Sequence, residues 1–291
     1  MTPESAKPAS EIPFAFDCEG STLIGVIHQA TGKSELGLLT IVAGGPQYRG
    51  GCGRQLVELA RRISSEGVPV MRFDHRGLGD SAGAFRGFEH IQMDIRRAIE
   101  EFRDRAPSVK RIILWGGCDA ASAALINAFT FPEVVGIIAS NPWITTEETT
   151  TLARQKHYRS RLLQMSFWLK VLRMEYNILE YTAAALKRRG TNRPARSTTD
   201  VNNAAAAKPY LELMLDGLNH FRGTVLFVMS GRSLTSSQFD ELLQSDNRWL
   251  DAVGNNRNQR IDIADADQTF SSRVGREALL DVASTWIGQL K

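Results

Sequence analysis

The sequence predicts an α/β fold: a mostly parallel eight-stranded sheet with helices on both faces and a helical insertion after the sixth strand. Short apolar runs alternate along the chain with stretches of helical spacing, the rhythm of right-handed β-α-β crossovers. Several of those runs end in glycine-rich junctions, where a parallel sheet turns its backbone into the next helix. The rhythm fails once, between Thr145 and about Leu218, and then resumes.

Phe14 to Ala30 alternates as an antiparallel hairpin with Glu19-Gly20 at its turn. Leu36–Ala43 is continuously apolar, as a strand buried on both faces must be. A helix over Gln55–Ser65 and a strand over Val68–Asp74 follow. Phe88–Arg105 places Ile91, Ile95, Ile99 and Phe102 on one helical stripe. Arg111–Gly116 reads as a strand, Ala120–Phe129 as a small-residue helix and Val134–Ser140 as the sixth strand. Beyond the break come the strand Thr224–Met229, a helix over Phe239–Leu250, the strand Arg260–Ala264 and a closing helix Gly275–Gln289. The expected organisation is a disordered tail at residues 1–12, a core at 13–144 and 222–291, and a lid-like insertion with its linker at 145–221.

A chain of 291 residues buries a sizeable core, at a prior of about 150 residues per domain. With 43% hydrophobic and 23% charged residues it is not disordered, collagenous or a coiled coil. Its net charge of +3 gives no field that argues for nucleic acid. No apolar run reaches the ~18 residues of a membrane span. The first twelve residues lack the order of a secretory signal, so the expected location is cytoplasmic. Cys18, Cys52 and Cys118 are an odd set without metal-like spacing, and no phosphate-cradling G-x-G-x-x-G follows a strand. No metal or organic cofactor is expected.

Chemistry concentrates at three strand ends. Arg111–Gly116 runs into Gly117-Cys118-Asp119-Ala120 and straight into a helix. Small residues two positions either side of Cys118 permit the tight bend of a nucleophile elbow. There the helix N-terminus is expected to lower the thiol pKa and to aim the Asp119 N–H at a developing oxyanion. The alternative is a small buried hydrophobe. In Ala43-Gly44-Gly45-Pro46-Gln47 the Gly45 N–H is the candidate second oxyanion donor, since Pro46 has none. Asp74-His75-Arg76-Gly77-Leu78-Gly79-Asp80-Ser81 reads as a loop bordering the site, with Asp74, Arg76 and Ser81 as braces and His75 within it.

The order of these segments resembles an α/β-hydrolase, and their wording resembles the exosortase A system-associated hydrolases of the first type. Gly44 to Arg49, Arg72 to Ser81 and Cys118 to Leu125 carry the resemblance, which spans roughly residues 12–290. It implies ester or thioester hydrolysis or acyl transfer through a cysteine nucleophile. It also implies a small acyl or ester substrate and a setting among exopolysaccharide-system proteins. The family's acid then falls at Ser233 and its histidine at Gln268, in Asp267-Gln268-Thr269-Phe270. Gly53 stands where a bulkier polar residue is expected.

Those replacements change the chemistry. In a nucleophile–histidine–acid relay the imidazole takes and returns the proton; a carboxamide bonds hydrogen but carries no proton at neutral pH. Replacement bases remain open: His157 or His220 folding over the elbow, or Asp265 or Asp267 acting through water. Phe167, Trp168, Leu172, Met174, Tyr176 and Ile178 either line an acyl pocket or pack the lid. Two functions compete: a hydrolase with weakened or lost activity, and a non-catalytic binding or scaffold protein that kept the pocket and lost the relay.

Overall fold

The computed structural model of the chain describes residues 10–44, 47–145 and 209–291. The tail before Ser10, Gly45, Pro46, His157 and the aromatic stripe of the insertion lie outside the described residues. The strands are β1 (Glu11–Cys18), β2 (Ser21–His28), β3 (Leu36–Ile41), β4 (Val70–Asp74), β5 (Arg111–Gly117), β6 (Val134–Ser140), β7 (Thr224–Ser230) and β8 (Gln259–Ile263). They form one sheet in the order β1-β2-β4-β3-β5-β6-β7-β8. β2 runs antiparallel to β1 and to β4, and every later pairing is parallel.

The hairpin turns at Glu19 and Gly20, both at positive φ (50° and 78°), the geometry that matches strand twist in a two-residue turn. Its first strand begins earlier than the expected tail allows. Glu11 pairs with His28 across the ladder, and its carboxylate accepts from Arg61 Nε at 2.5 Å. Paired backbone and a charge partner order these residues, so the tail ends before them.

Every residue of β3 is buried, because both faces of the sheet are covered. Leu36 and Leu38 face one layer, Leu39 and Ile41 the other, as strand alternation requires. Helices α1 (Gln55–Ser65) and α7 (Arg273–Gln289) cover the first face with Leu59, Ile63, Leu279 and Ala283. On the second face lie α2 (Gln92–Arg105), α3 (Asp119–Asn127), α4 (Tyr210–His220), α5 (Leu234–Ser245) and α6 (Asn247–Val253). The helix expected over Phe239–Leu250 is two helices. Asp246 leaves helical geometry between them (φ −133°) and caps the second through Arg248 N–H at 2.9 Å.

α4 falls in the stretch the sequence assigns to the end of the insertion, yet its apolar side, with Met214, Leu215 and Leu218, joins the core. Gly217 makes the packing close: a Cβ there would sit 2.1 Å from the Leu125 carbonyl oxygen and 2.9 Å from that of Ile126. Gly217→Ala therefore sets two effects against each other. Alanine gains up to about 1 kcal/mol of helix propensity, and overpacking against rigid backbone costs about 1–3 kcal/mol. The clash wins, and the urea midpoint should fall. An unchanged or raised midpoint contradicts this packing of α4 on α3.

Candidate active site

Cys118 sits between β5 and α3 at φ 58°, ψ −126°, a region that costs a non-glycine residue about 1–3 kcal/mol. Its surroundings impose the bend. Its N–H donates to Ser140 O at 2.9 Å, and its carbonyl accepts from Ala121 N at 3.1 Å and Trp143 N at 3.1 Å. Gly116 lets helix and strand close up, since a Cβ there would lie 2.4 Å from the Ala120 carbonyl. A Cβ on Gly117 would meet nothing within 4 Å. The glycine two residues before Cys118 is thus the constrained one. The thiol itself is only partly buried.

Three residues far apart in the chain meet here. The Gln268 side chain is among the groups that bear on the Cys118 thiol, and its Oε1 accepts from the Ser233 hydroxyl. Ser233 caps α5, accepting from Ser236 N–H at 3.4 Å. Gln268 is held from behind by Asn141, whose Nδ2 donates to the Gln268 carbonyl at 3.0 Å. Asn141, at φ 45°, also accepts from Ser230 N–H at 2.9 Å and from Ser236 Oγ at 2.8 Å. Sequence reading missed Asn141, although an Asn-Pro pair after a strand is a turn signal.

The thiol is not activated as expected. Burial pushes its pKa up, and the Asp119 carboxylate pushes further in the same direction. The Asp119 N–H and the Gln268 amide pull it down by less. The helix terminus does favour a thiolate, but its own first residue supplies an opposing charge.

That carboxylate has a second task. Gly44 N–H donates to both Asp119 oxygens, at 3.1 and 2.9 Å, which ties the glycine loop after β3 to the elbow. Burial raises the Asp119 pKa, while the N–H groups of Gly44 and Ala120 and then His75 lower it. A Cβ on Gly44 would meet Asp119 Oδ2 at 2.7 Å and the Phe85 ring at 3.0 Å. Loop, elbow and Phe85 thus converge on one point.

The loop after β4 is a brace. Asp74 accepts from Arg49 N–H, Arg49 Nη1 (2.5 Å) and Asp80 N–H (3.2 Å). Ser81 Oγ donates to the Asp74 carbonyl at 2.6 Å and accepts from Ile24 N–H at 2.9 Å. Arg76 binds buried Asp94 through Nε at 3.0 Å and Nη2 at 2.8 Å. His75 is buried beneath Phe85, ring centroids 6.0 Å apart, and burial lowers its pKa. Gly53, at φ 55°, leaves room filled by Arg276, whose Nη2 lies 3.0 Å from the missing Cβ.

The candidate bases among the described residues are engaged elsewhere. His220 bonds the Asp216 carbonyl at 2.7 Å and packs on Phe129, past the C-terminal end of α3 and so at the far end from Cys118. Asp265 pairs with Arg232 at 2.7 Å. Asp267 closes its own turn, accepting from Ser271 and Thr269, and those bonds lower its pKa to about 2. Among the described residues no group of three or more His, Cys, Asp and Glu is arranged to hold a metal ion. No helix among them is long and apolar enough to cross a membrane.

A family profile described as serine aminopeptidase, S33, matches residues 49–212. A search of curated proteins finds no match. Among solved structures, the chain is similar to an esterase of Pyrococcus furiosus at 15% identity and TM-score 0.64, covering 97% of this chain and 91% of that one. It is also similar to a dienelactone hydrolase of Anabaena variabilis, at 12% identity, TM-score 0.59 and coverage of 97% and 99%. Est1E of Butyrivibrio proteoclasticus, solved with ferulic acid bound, aligns at 13% identity and TM-score 0.60 over 95% and 98%.

Asp119→Asn separates the two tasks of the carboxylate, because an amide oxygen still accepts from Gly44 N–H while the charge is gone. The Cys118 thiol pKa should then fall. Peptide-resolved alkylation by iodoacetamide should reach its half-maximal rate at a lower pH than in the unmodified protein. An unchanged profile means the charge does not act on the thiol.

Proposed function

The chain belongs to the S33 serine aminopeptidase family of α/β-hydrolases, and on that premise we propose that it is an acyl-transferring esterase or thioesterase that uses Cys118 as its nucleophile. The observation that carries this reading is the strained strand-to-helix bend that holds Cys118, with the Gln268 amide, bonded to Ser233, bearing on its thiol. It keeps the layout of a nucleophile–base–acid relay and replaces the proton carrier by an amide. The elbow carries cysteine, whereas the family description names a serine enzyme. Sulfur tolerates loss of the base better than a hydroxyl does, since some thiolate forms unaided. Attack of Sγ on an activated ester or thioester gives a Cys118 acyl-enzyme, with the Asp119 N–H, and Gly45 by its place in the loop, as oxyanion donors.

The motifs at 44–49, 72–81 and 118–125 support assignment to the exosortase-associated hydrolases. With it come a cytoplasmic location and exopolysaccharide-system partners as parts of the same proposal. Residues 146–208 are proposed as the lid. What supports this is the anchoring of both ends: Tyr210 OH donates to the Thr145 carbonyl at 3.0 Å, and Trp143 N–H bonds the Cys118 carbonyl.

Mass spectrometry after incubation with a p-nitrophenyl ester or an acyl thioester should find the acyl group on Cys118, and nothing there in Cys118→Ala. Ser233→Asp with Gln268→His should raise steady-state turnover by ~10²–10⁴-fold, the usual worth of general acid–base help. No adduct in either protein favours the second reading, a binding protein of the same fold, for which the raised thiol pKa already speaks.

A further inference from the structure

The two ends of the sheet are finished differently. β1 carries Pro13, which has no N–H to offer a neighbour, a common way of closing an edge. β8 carries no proline and, among the described residues, pairs with β7 alone. One bond fixes the alternation of its backbone: the Ile263 carbonyl accepts from Gly231 N–H at 3.0 Å, on the β7 side. In a parallel ladder the N–H and C=O of one residue point to the same neighbour, and successive residues alternate. Gln259, Ile261 and Ile263 therefore bond to β7, and Arg260 and Asp262 aim their N–H and C=O groups out of the sheet.

Side chains alternate as well. Arg260 and Asp262 share one face, where Arg260 Nη2 meets Asp262 Oδ1 and Asp240 Oδ1, each at 2.7 Å. On the other face a cavity of about 210 Å³ lies between β8 and α7, lined by Ile261, Val282, Thr285 and Trp286 among others. Asp262 is exposed and Ile261 half-buried.

A second strand laid antiparallel on this edge must set outward-pointing residues opposite one another. For a second copy of β8, a register centred on residue 260 opposes Arg260 to Arg260. One centred on residue 262 opposes Asp262 to Asp262. The register centred on Ile261 sets each Arg260 opposite the partner's Asp262, and unlike charges directly opposed favour pairing where like charges oppose it.

We propose that β8 is the dimerisation edge of this protein, pairing antiparallel with β8 of a second copy about a two-fold axis at Ile261. Each Arg260 then exchanges both backbone hydrogen bonds with the partner's Asp262. The two Ile261 side chains meet on the axis and cover the cavity against α7 in each copy. Exposed ion pairs add little affinity; here they select the register, while the ladder and the covered apolar edge supply the attraction. The two sheets become one, with the Cys118 bends on its opposite edges. Pairing does not depend on the chemistry at Cys118.

Sedimentation equilibrium of the full chain over about 1–100 µM should give a mass rising towards twice that of one chain. Arg260→Asp and Asp262→Arg each oppose like charges on both sides of the axis, and each should raise the dissociation constant about tenfold or more. An equimolar mixture of the two variants sets aspartates on one β8 against arginines on the other, so it should recover the dimer. The double variant Arg260→Asp with Asp262→Arg should pair with itself again, and recovery in either case shows that the altered chains fold. A chain that stays monomeric throughout the range overturns the proposal. So does a dimer that both charge reversals leave intact, or one recovered neither in the mixture nor in the double variant.

Discussion

A backbone bend at one residue organises the site. Cys118 is held at φ 58° with its N–H on β6 and its carbonyl shared between the first turn of α3 and the segment after β6. A cysteine in that conformation is strained, and it persists because Gly116 lets strand and helix approach until a Cβ there would lie 2.4 Å from the Ala120 carbonyl. The bend lifts the sulfur above the C-terminal edge of the sheet. In an open parallel α/β sheet, that edge is where loops from several strands converge. Here the loop after β3 arrives through Gly44, that after β7 through Ser233 and that after β8 through Gln268. The segment after β6 braces them through Asn141.

Charge placement then decides what the sulfur can do. A helix N-terminus favours a thiolate by a few tenths to about 1 kcal/mol when exposed. Partial burial and an adjacent carboxylate oppose it, and together they prevail. The carboxylate is retained where it is unhelpful to the thiol because it is the acceptor for Gly44 N–H. Loop geometry and thiol acidity are therefore set by one side chain with opposite consequences.

Much of this was legible in the chain. The alternation of apolar runs and helices located all eight strands, because a doubly covered sheet leaves continuous apolar segments such as Leu36–Ile41. The bend was legible from spacing alone, and the resemblance to α/β-hydrolases implied Ser233 and Gln268 by their places after β7 and β8. Other features depend on distance in space, which spacing does not encode. The Asp119–Gly44 tie joins residues 75 apart, and the Asn141 brace reaches Gln268 across 127 positions. The sign of the thiol shift could not be read either, since it is a difference between opposing terms. The break at Asp246 and the docking of α4 through Gly217 were hidden because helical periodicity continues through both.

The central claim is that a neutral amide, fixed by Ser233 and Asn141, bears on the Cys118 thiol and holds its pKa down. Ultraviolet thiolate absorbance, taken as the difference between the protein and its Cys118→Ala variant, reads the thiol's titration directly. Loss of the donor in Gln268→Ala should move the midpoint to higher pH than in the unmodified protein. A midpoint that stays put, or moves down, would mean the amide does not bear on the thiol.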